Sequence, residues 1–190
     1  MLGYEIATIS FLLFVLLGAF DGVYFHMIKY KLYQHPPARF EHQLHTFRGV
    51  IFLPITLIFF VWNSAGMLLW LGLFFLFVDF IAEIIDILIE KEARKDLGGI
   101  SPFESVIHVT ATGFRMASLG IILSLKPIEA YSWSARTCDF ASLPSYLQYL
   151  GIAFAVGLGL ALTGQMIFSL QSLFSKQLPF SNCLIGKTSN

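Results

Sequence analysis

The stretch EKEARKDLGGISPFESVIHVTATGFR (residues 90–115) decides the fold, because it places charges between two apolar runs that are each long enough to cross a bilayer. It leads from the end of one predicted helix through a basic loop into Glu-x-x-x-His and then Arg. The stretch HMIKYKLYQHPPARFEHQLHTFR (residues 26–48) has the same order of features. This internal similarity predicts two related helical hairpins.

An alignment of the two stretches matches ionisable residues with one another. It pairs Glu41 with Glu104, His45 with His108 and, with one gap, His26 with Glu90. Two such hairpins facing each other about a pseudo-two-fold axis would form the two halves of a dinuclear centre. Short amphipathic segments also match by chance, so the repeat is a hypothesis at the level of sequence.

The composition is that of an integral membrane protein. The 190 residues have a mean hydropathy of +0.73, only 13% of them are charged, and 20 are Phe. Apolar runs bounded by turn residues predict five transmembrane helices, at roughly 5–30, 40–62, 66–90, 103–125 and 145–174. The net charge is zero and the basic residues lie in short loops, so no nucleic-acid partner is expected.

The predicted fold is all-α and polytopic, with four helices forming a bundle from two helical hairpins. Residues 1–126 form this bundle, 127–144 an extracytoplasmic loop, and 145–190 a fifth helix with a cytoplasmic tail. Basic residues favour the first and third loops and the tail, which predicts an N-terminus outside and a C-terminus in the cytoplasm. The first segment has no basic n-region or cleavage site, so we expect a retained helix, in a bacterial inner membrane.

Carboxylates and imidazoles from four helices are predicted to meet at one level, near the cytoplasmic boundary. On the third helix the acids are spaced by four, three and four residues, which forms one acidic stripe that cannot face lipid. The candidate metal ligands are His26, Glu41, His45, Glu83, Asp86, Glu90, Glu104 and His108. Supporting roles around them are predicted for Asp21, His42, Arg48, Asp79 and Arg115.

Three of these assignments have a simpler alternative. Asp21 and His26 are five residues apart, so in an α-helix they diverge by about 140° and only one would face the centre. Glu104 follows Ser101 by three residues and could be only the carboxylate of a capping box. His42 is expected to point away, because His45 holds the shared face. The charged residues that follow Glu90, including Arg94, are predicted to form a solvated surface cluster.

The predicted ligand set resembles that of the membrane di-iron carboxylate proteins, which gather carboxylates and Glu/His pairs from facing helices. This chain departs from their Glu-x-x-His spacing, since it has Glu-x-x-x-His twice. The stretches EHQLHTFR (41–48) and LGGISPFESVIH (97–108) are also similar to a group of uncharacterised bacterial multi-span membrane proteins. That second resemblance covers residues 20–115 and implies no known activity.

The resemblance implies two transition-metal ions, iron first and manganese or zinc as alternatives. A non-haem di-metal oxidoreductase would act on a lipophilic substrate arriving from the bilayer and would need an electron-donor protein. Three alternatives stay open: a proton or cation carrier that uses the acidic stripe, a b-type haem protein with histidine axial ligands, and a structural membrane subunit with buried ion pairs. Membership of a membrane complex or a homo-oligomer is compatible with each of them.

Overall fold

The computed structural model describes residues 2–175, and within them it has five helices long and apolar enough to cross a membrane. They are α1 (Leu2–Phe20, continued by the π-helical segment Asp21–Lys29), α2 (Arg39–Thr56, continued by the π-helical segment Leu57–Val61), α3 (Gly66–Ala93), α4 (Pro102–Ser124) and α5 (Ser145–Ser175). Each overlaps one predicted span, so the all-α polytopic fold is confirmed. The predicted cytoplasmic tail, with Lys176, Cys183 and Lys187, lies outside the described residues.

Local sequence explains where the helices start and stop. Pro102 occupies the first turn of α4, and the side chain of Ser101 accepts a hydrogen bond from the Glu104 amide over 3.2 Å. After α3 the chain turns through Gly98 and Gly99, which have φ values of 86° and 76° that favour glycine. Both loops that border the ionisable residues are therefore defined by local signals.

The two hairpins, α1 with α2 and α3 with α4, contact each other through neighbouring helices. Helix α1 packs against α4, α2 packs against α3, and α5 packs against α2 and α1. Between α3 and α4 the contacts include polar side chains, since Thr112 donates to Glu83 over 2.8 Å and Arg115 of α4 binds Asp79 of α3. The four-helix arrangement thus brings the ionisable faces of α1 to α4 together.

The half of the bundle away from the ionisable groups is apolar. Its buried core contains Phe11 of α1, stacked on Phe60 at 3.9 Å between ring centroids, together with Ile55, Phe59 and Leu69. Burial of such side chains stabilises each by roughly 1.5–3 kcal/mol relative to exposure to water. This core separates the polar centre from the α2–α3 turn and the loop that follows α4.

A change of helix type at Asp21 determines which residues of the first span face the bundle. In a π-helix the backbone bonds join residues five apart, as between the Tyr30 amide and the Phe25 carbonyl at 2.9 Å. Residues five apart therefore lie on nearly the same face. Asp21 and His26 both point inward, with Asp21 Oδ2 3.5 Å from His26 Nε2. The expectation that only one of them faces the centre is wrong, because it assumed α-helical geometry.

Candidate metal centre

Two groups of His and carboxylate side chains each bring their ligand atoms within 4.8 Å of one another. The first group is Asp21, His26, Glu104 and His108, and the second is His26, Glu41 and His45. His26 belongs to both, and its ring centroid lies 4.3 Å from that of His45 and 6.1 Å from that of His108. Imidazole and carboxylate are the ligands that iron, manganese and zinc share in proteins.

The contacts across the hairpins repeat in a quasi-symmetric way. His45 of α2 reaches Asp86 of α3, with Nε2 3.3 Å from Oδ2. His108 of α4 reaches Asp21 of the first span, with Nε2 2.9 Å from Oδ1. If the two hairpins are exchanged, His45 takes the place of His108 and Asp86 takes the place of Asp21, so the two contacts are equivalent. The Glu-x-x-x-His repeat of the sequence is therefore matched by a repeat of contacts in space.

The π-helical turn accounts for a further one-residue difference between the hairpins, beyond the gap that pairs His26 with Glu90. Asp21 and His26 are five residues apart, whereas the corresponding Asp86 and Glu90 are four apart on a regular α-helix. Glu90 Oε1 lies 3.6 Å from Nδ1 of His108, as His26 lies beside His45 in the other hairpin. The wider turn absorbs the extra residue and keeps both pairs facing the centre.

Arg94 lies at the middle of this centre, and the prediction that it belongs to a solvated surface cluster is wrong. Its side chain is fully buried. The guanidinium donates to Glu41, with Nε 2.7 Å from Oε1, and it also binds Glu104 Oε1. Its Nη2 lies 3.2 Å from Nε2 of His26. Arg94 follows Glu90 by four residues and so continues the stripe of α3, a signal that the sequence contained.

The surroundings of Arg94 keep it charged. Burial would by itself lower its pKa, but the hydrogen bonds and charges of Glu41 and Glu104 outweigh burial and raise the pKa above its ordinary value. The carboxylate of Glu104 is therefore used for an ion pair, while only its amide joins the cap with Ser101. Its role is not limited to a capping box.

Several polar atoms of the centre remain without hydrogen bonds. Among the buried side-chain N and O atoms of the described residues, six have no hydrogen-bond partner and five of these belong here. They are Glu41 Oε2, His45 Nε2, Asp86 Oδ1, Glu90 Oε1 and Glu104 Oε2. His45 Nε2 is within ion-pair distance of Asp86 but lacks hydrogen-bond geometry. Each such atom costs about 1–3 kcal/mol, so five in one place suit the binding of a cation.

A deeper layer of ion pairs lies on the same helix faces. Arg115 binds Asp79 and Glu83, and Arg48 Nε lies 3.2 Å from Asp79 Oδ1. Arg48 also reaches Glu83 at 3.3 Å and Asp86 at 3.4 Å. Glu83, a predicted ligand, thus contacts two arginines. Like the predicted ligands Asp86 and Glu90, it lies in neither ligand group. Arg48 and Arg115 neutralise the stripe at the positions expected from the sequence.

The combined set carries more acid than base. Seven carboxylates face three guanidinium groups, which leaves a formal charge of −4 while the imidazoles are neutral. The acids are Asp21, Glu41, Asp79, Glu83, Asp86, Glu90 and Glu104, and the bases are Arg48, Arg94 and Arg115. Uncompensated charge at membrane depth is costly. Two divalent cations would balance it, as would protonation of three histidines and one carboxylate.

His42 lies outside both ligand groups. It is buried on α2, and its ring is 6.2 Å from that of Tyr33. This agrees with the expectation that His45, one turn away, takes the inward face.

A cleft of about 660 Å³ between α2 and α3 leads toward the centre from the side of the first and third loops. Glu41 borders it but is fully buried, Phe40 and Leu88 contribute apolar surface, and Glu92, Lys95 and Asp96 contribute charges of both signs. The cleft therefore ends beside one residue of the centre.

Comparisons with protein-family models, with curated proteins and with solved structures find no match. The chemistry of this centre therefore has to be argued from its own residues.

Proposed function

We propose that this integral membrane protein is a metalloprotein that holds two transition-metal ions between its two hairpins. The carrying observation is the set of five buried side-chain atoms without hydrogen bonds on helices α2 to α4, three of which belong to the residues Glu41, His45 and Glu104 of the two ligand groups. Iron is the first candidate and manganese or zinc are alternatives, because all accept imidazole and carboxylate ligands. The excess of carboxylates over guanidinium groups in the ionisable set favours the binding of cations.

The position of each residue indicates its proposed role in holding the metals. Glu41 with His45 and Glu104 with His108 would hold the metals from α2 and α4, together with His26 or Asp21. Asp86 beside His45 and Glu90 beside His108 lie outside the two ligand groups and would complete the set. Arg48 and Arg115 would hold the deeper acids and keep them from competing for the metals.

With iron or manganese bound, the pair of ions would supply redox chemistry, and the proposed activity is that of a membrane-embedded oxidoreductase acting on a lipophilic substrate. The cleft beside Glu41 supports an approach for that substrate along α2 and α3. We propose the bacterial inner membrane as its location, with the centre toward the cytoplasm. A separate electron donor would be required.

Buried ion pairing is the strongest alternative function for these residues. It accounts well for Asp79 and Glu83, whose oxygens contact Arg48 and Arg115. It leaves Asp86 Oδ1 and Glu90 Oε1 without hydrogen bonds. A purely structural subunit would not be expected to retain such costly groups.

A proton or cation carrier needs a polar path across the membrane. The described residues between the centre and the α2–α3 turn are mainly an apolar core that includes Phe11, Phe59 and Phe60, and the buried polar side chains there, such as Ser10, Thr56 and Ser118, are uncharged hydroxyl groups. This favours a closed centre over a pathway.

Two histidine variants test the proposal. His45→Ala and His108→Ala should each abolish retention of stoichiometric metal in detergent-purified protein, because each removes the imidazole of one half of the centre. Cys138→Ala, on the exposed loop, should retain metal. Elemental analysis measures the metal content of the three purified variants. Stoichiometric metal in both histidine variants would overturn the dinuclear centre.

A further inference from the structure

We propose that Arg94 is a built-in counter-ion that occupies the centre without metal and is displaced when metal binds. This inference rests on the proposed function, because it concerns how the same centre is loaded. Glu41 and Glu104 each direct Oε1 to the guanidinium while Oε2 has no hydrogen bond. Their carboxylates therefore serve Arg94 and present a second oxygen to a cation.

The guanidinium and a metal compete for the same partners. Arg94 contacts Glu41 and His26 of one ligand group and Glu104 of the other, so it touches both groups. A guanidinium within hydrogen-bond distance of three ligand side chains repels a divalent ion placed among them. Loading of the centre and retention of Arg94 therefore oppose each other.

The position of Arg94 in the chain favours displacement. Arg94 is the first residue after α3 and is followed by the short 3₁₀ segment Lys95–Leu97 and then by Gly98 and Gly99. A side chain added at either glycine would meet no atom within 4 Å, so this loop is not held by packing on that side. The ring of Tyr30, 5.3 Å from the guanidinium, is its aromatic neighbour. Movement of the loop would release Arg94 and leave α3 and α4 in place.

Arg136 provides the control. It is an exposed arginine of the loop between α4 and α5, away from both ligand groups. Removing Arg94 should help metal binding, whereas removing Arg136 should not. By reciprocity, any factor by which Arg94 weakens metal binding is the factor by which metal weakens the contacts of Arg94.

The test is titration of detergent-purified, metal-free protein with Zn²⁺ against a chelating dye. Arg94→Gln should raise the apparent affinity by about tenfold or more, within the usual range of coupling between two sites. Arg136→Gln should leave it within about threefold. Arg94→Lys should lie between wild type and Arg94→Gln, because one ammonium group cannot bridge Glu41 and Glu104 as a guanidinium does.

A second measurement uses the wild-type chain and needs no variant to fold. Phenylglyoxal modification, located by mass spectrometry, should spare the fully buried Arg94 without metal and modify it when Zn²⁺ is added. If wild type binds Zn²⁺ while Arg94 stays protected and Arg94→Gln has wild-type affinity, the displacement is wrong and the metal centre stands. If neither wild type nor Arg94→Gln binds Zn²⁺, both are wrong. Binding of Zn²⁺ by Arg94→Gln but not by wild type would support the competition between Arg94 and the metal.

Discussion

His108 Nε2 on α4 and Asp21 Oδ1 on the first span lie 2.9 Å apart, and the contact exists because the helix turns from α to π at Asp21. Its counterpart in the other half of the centre joins His45 to Asp86 over 3.3 Å. The two hairpins thus form equivalent His–Asp contacts, one with an aspartate on a π-helical segment and one with an aspartate on a regular α-helix.

Removal of either aspartate should weaken one half of the centre. We expect Asp21→Asn and Asp86→Asn each to lower the metal content of the purified protein to about half, because each replaces a charged ligand by an amide that binds transition metals poorly. Asp139→Asn, in the exposed loop before α5, is the control. Equal metal content in all three variants would show that neither aspartate contributes.

Arg115 should matter more to stability than an exposed basic residue does. Arg115→Met removes a buried ion-pair partner of Asp79 and Glu83. Breaking such a buried pair lowers the free energy of unfolding by about 3–5 kcal/mol. Lys95→Met removes an exposed pair with Glu92 at 3.3 Å and should leave the thermal midpoint nearly unchanged. Thermal unfolding in detergent compares them, and similar midpoints for the two variants would contradict the role of Arg115.

Lys126 should make stability depend on pH on the alkaline side. It is buried beyond the end of α4, where its Nζ donates to Asn63 Oδ1 and to the Ser64 carbonyl, each over 2.8 Å. Burial lowers its pKa from 10.5 to about 8. Between these values the unfolded chain binds a proton that the folded chain does not, so the free energy of unfolding rises with pH.

The expected slope from this one group is at most about 1.4 kcal/mol per pH unit. Thermal unfolding of wild type and Lys126→Met between pH 7 and 10.5 measures it as the difference between the two proteins. A wild-type curve that runs parallel to that of Lys126→Met would contradict the lowered pKa.

Gly66 should tolerate no side chain. Its φ is 59°, and a Cβ there would lie against the carbonyl oxygen of Ala135, closer than contacting atoms approach. Gly66→Ala should therefore lower the thermal midpoint by several degrees. Gly113→Ala in α4 is the matched control, because a Cβ there meets nothing within 4 Å and alanine favours the helix. Equal thermal midpoints for Gly66→Ala and Gly113→Ala would contradict the prediction that Gly66 tolerates no side chain.

Much of the fold follows from the sequence, because apolar length and turn residues dominate in a membrane. The spans, the glycine turn after α3 and the inward faces of Arg48 and Arg115 all come from spacing and bilayer thickness. These features depend on local pattern, which one sequence contains.

The parts that the sequence did not predict depend on backbone geometry and on competition between partners. The spacing of Asp21 and His26 predicts divergence for a regular α-helix, and the spacing does not reveal the π-helical segment that brings the two side chains together. Arg94 is predicted to lie at the surface because it belongs to a run of charged residues with Lys95 and Asp96, which are exposed. The spacing of four residues from Glu90 instead favours an inward position for Arg94. Its ion pairs with Glu41 and Glu104 in the folded protein stabilise that inward position.

The most direct test of the central claim is the metal content of detergent-purified wild-type protein, measured with its visible spectrum. The account predicts about two transition-metal ions per chain and no Soret band, because the centre contains two groups of His and carboxylate side chains. A strong Soret band would assign the histidines to haem. A protein without metal or haem would contradict the account and leave the carboxylates to buried ion pairing.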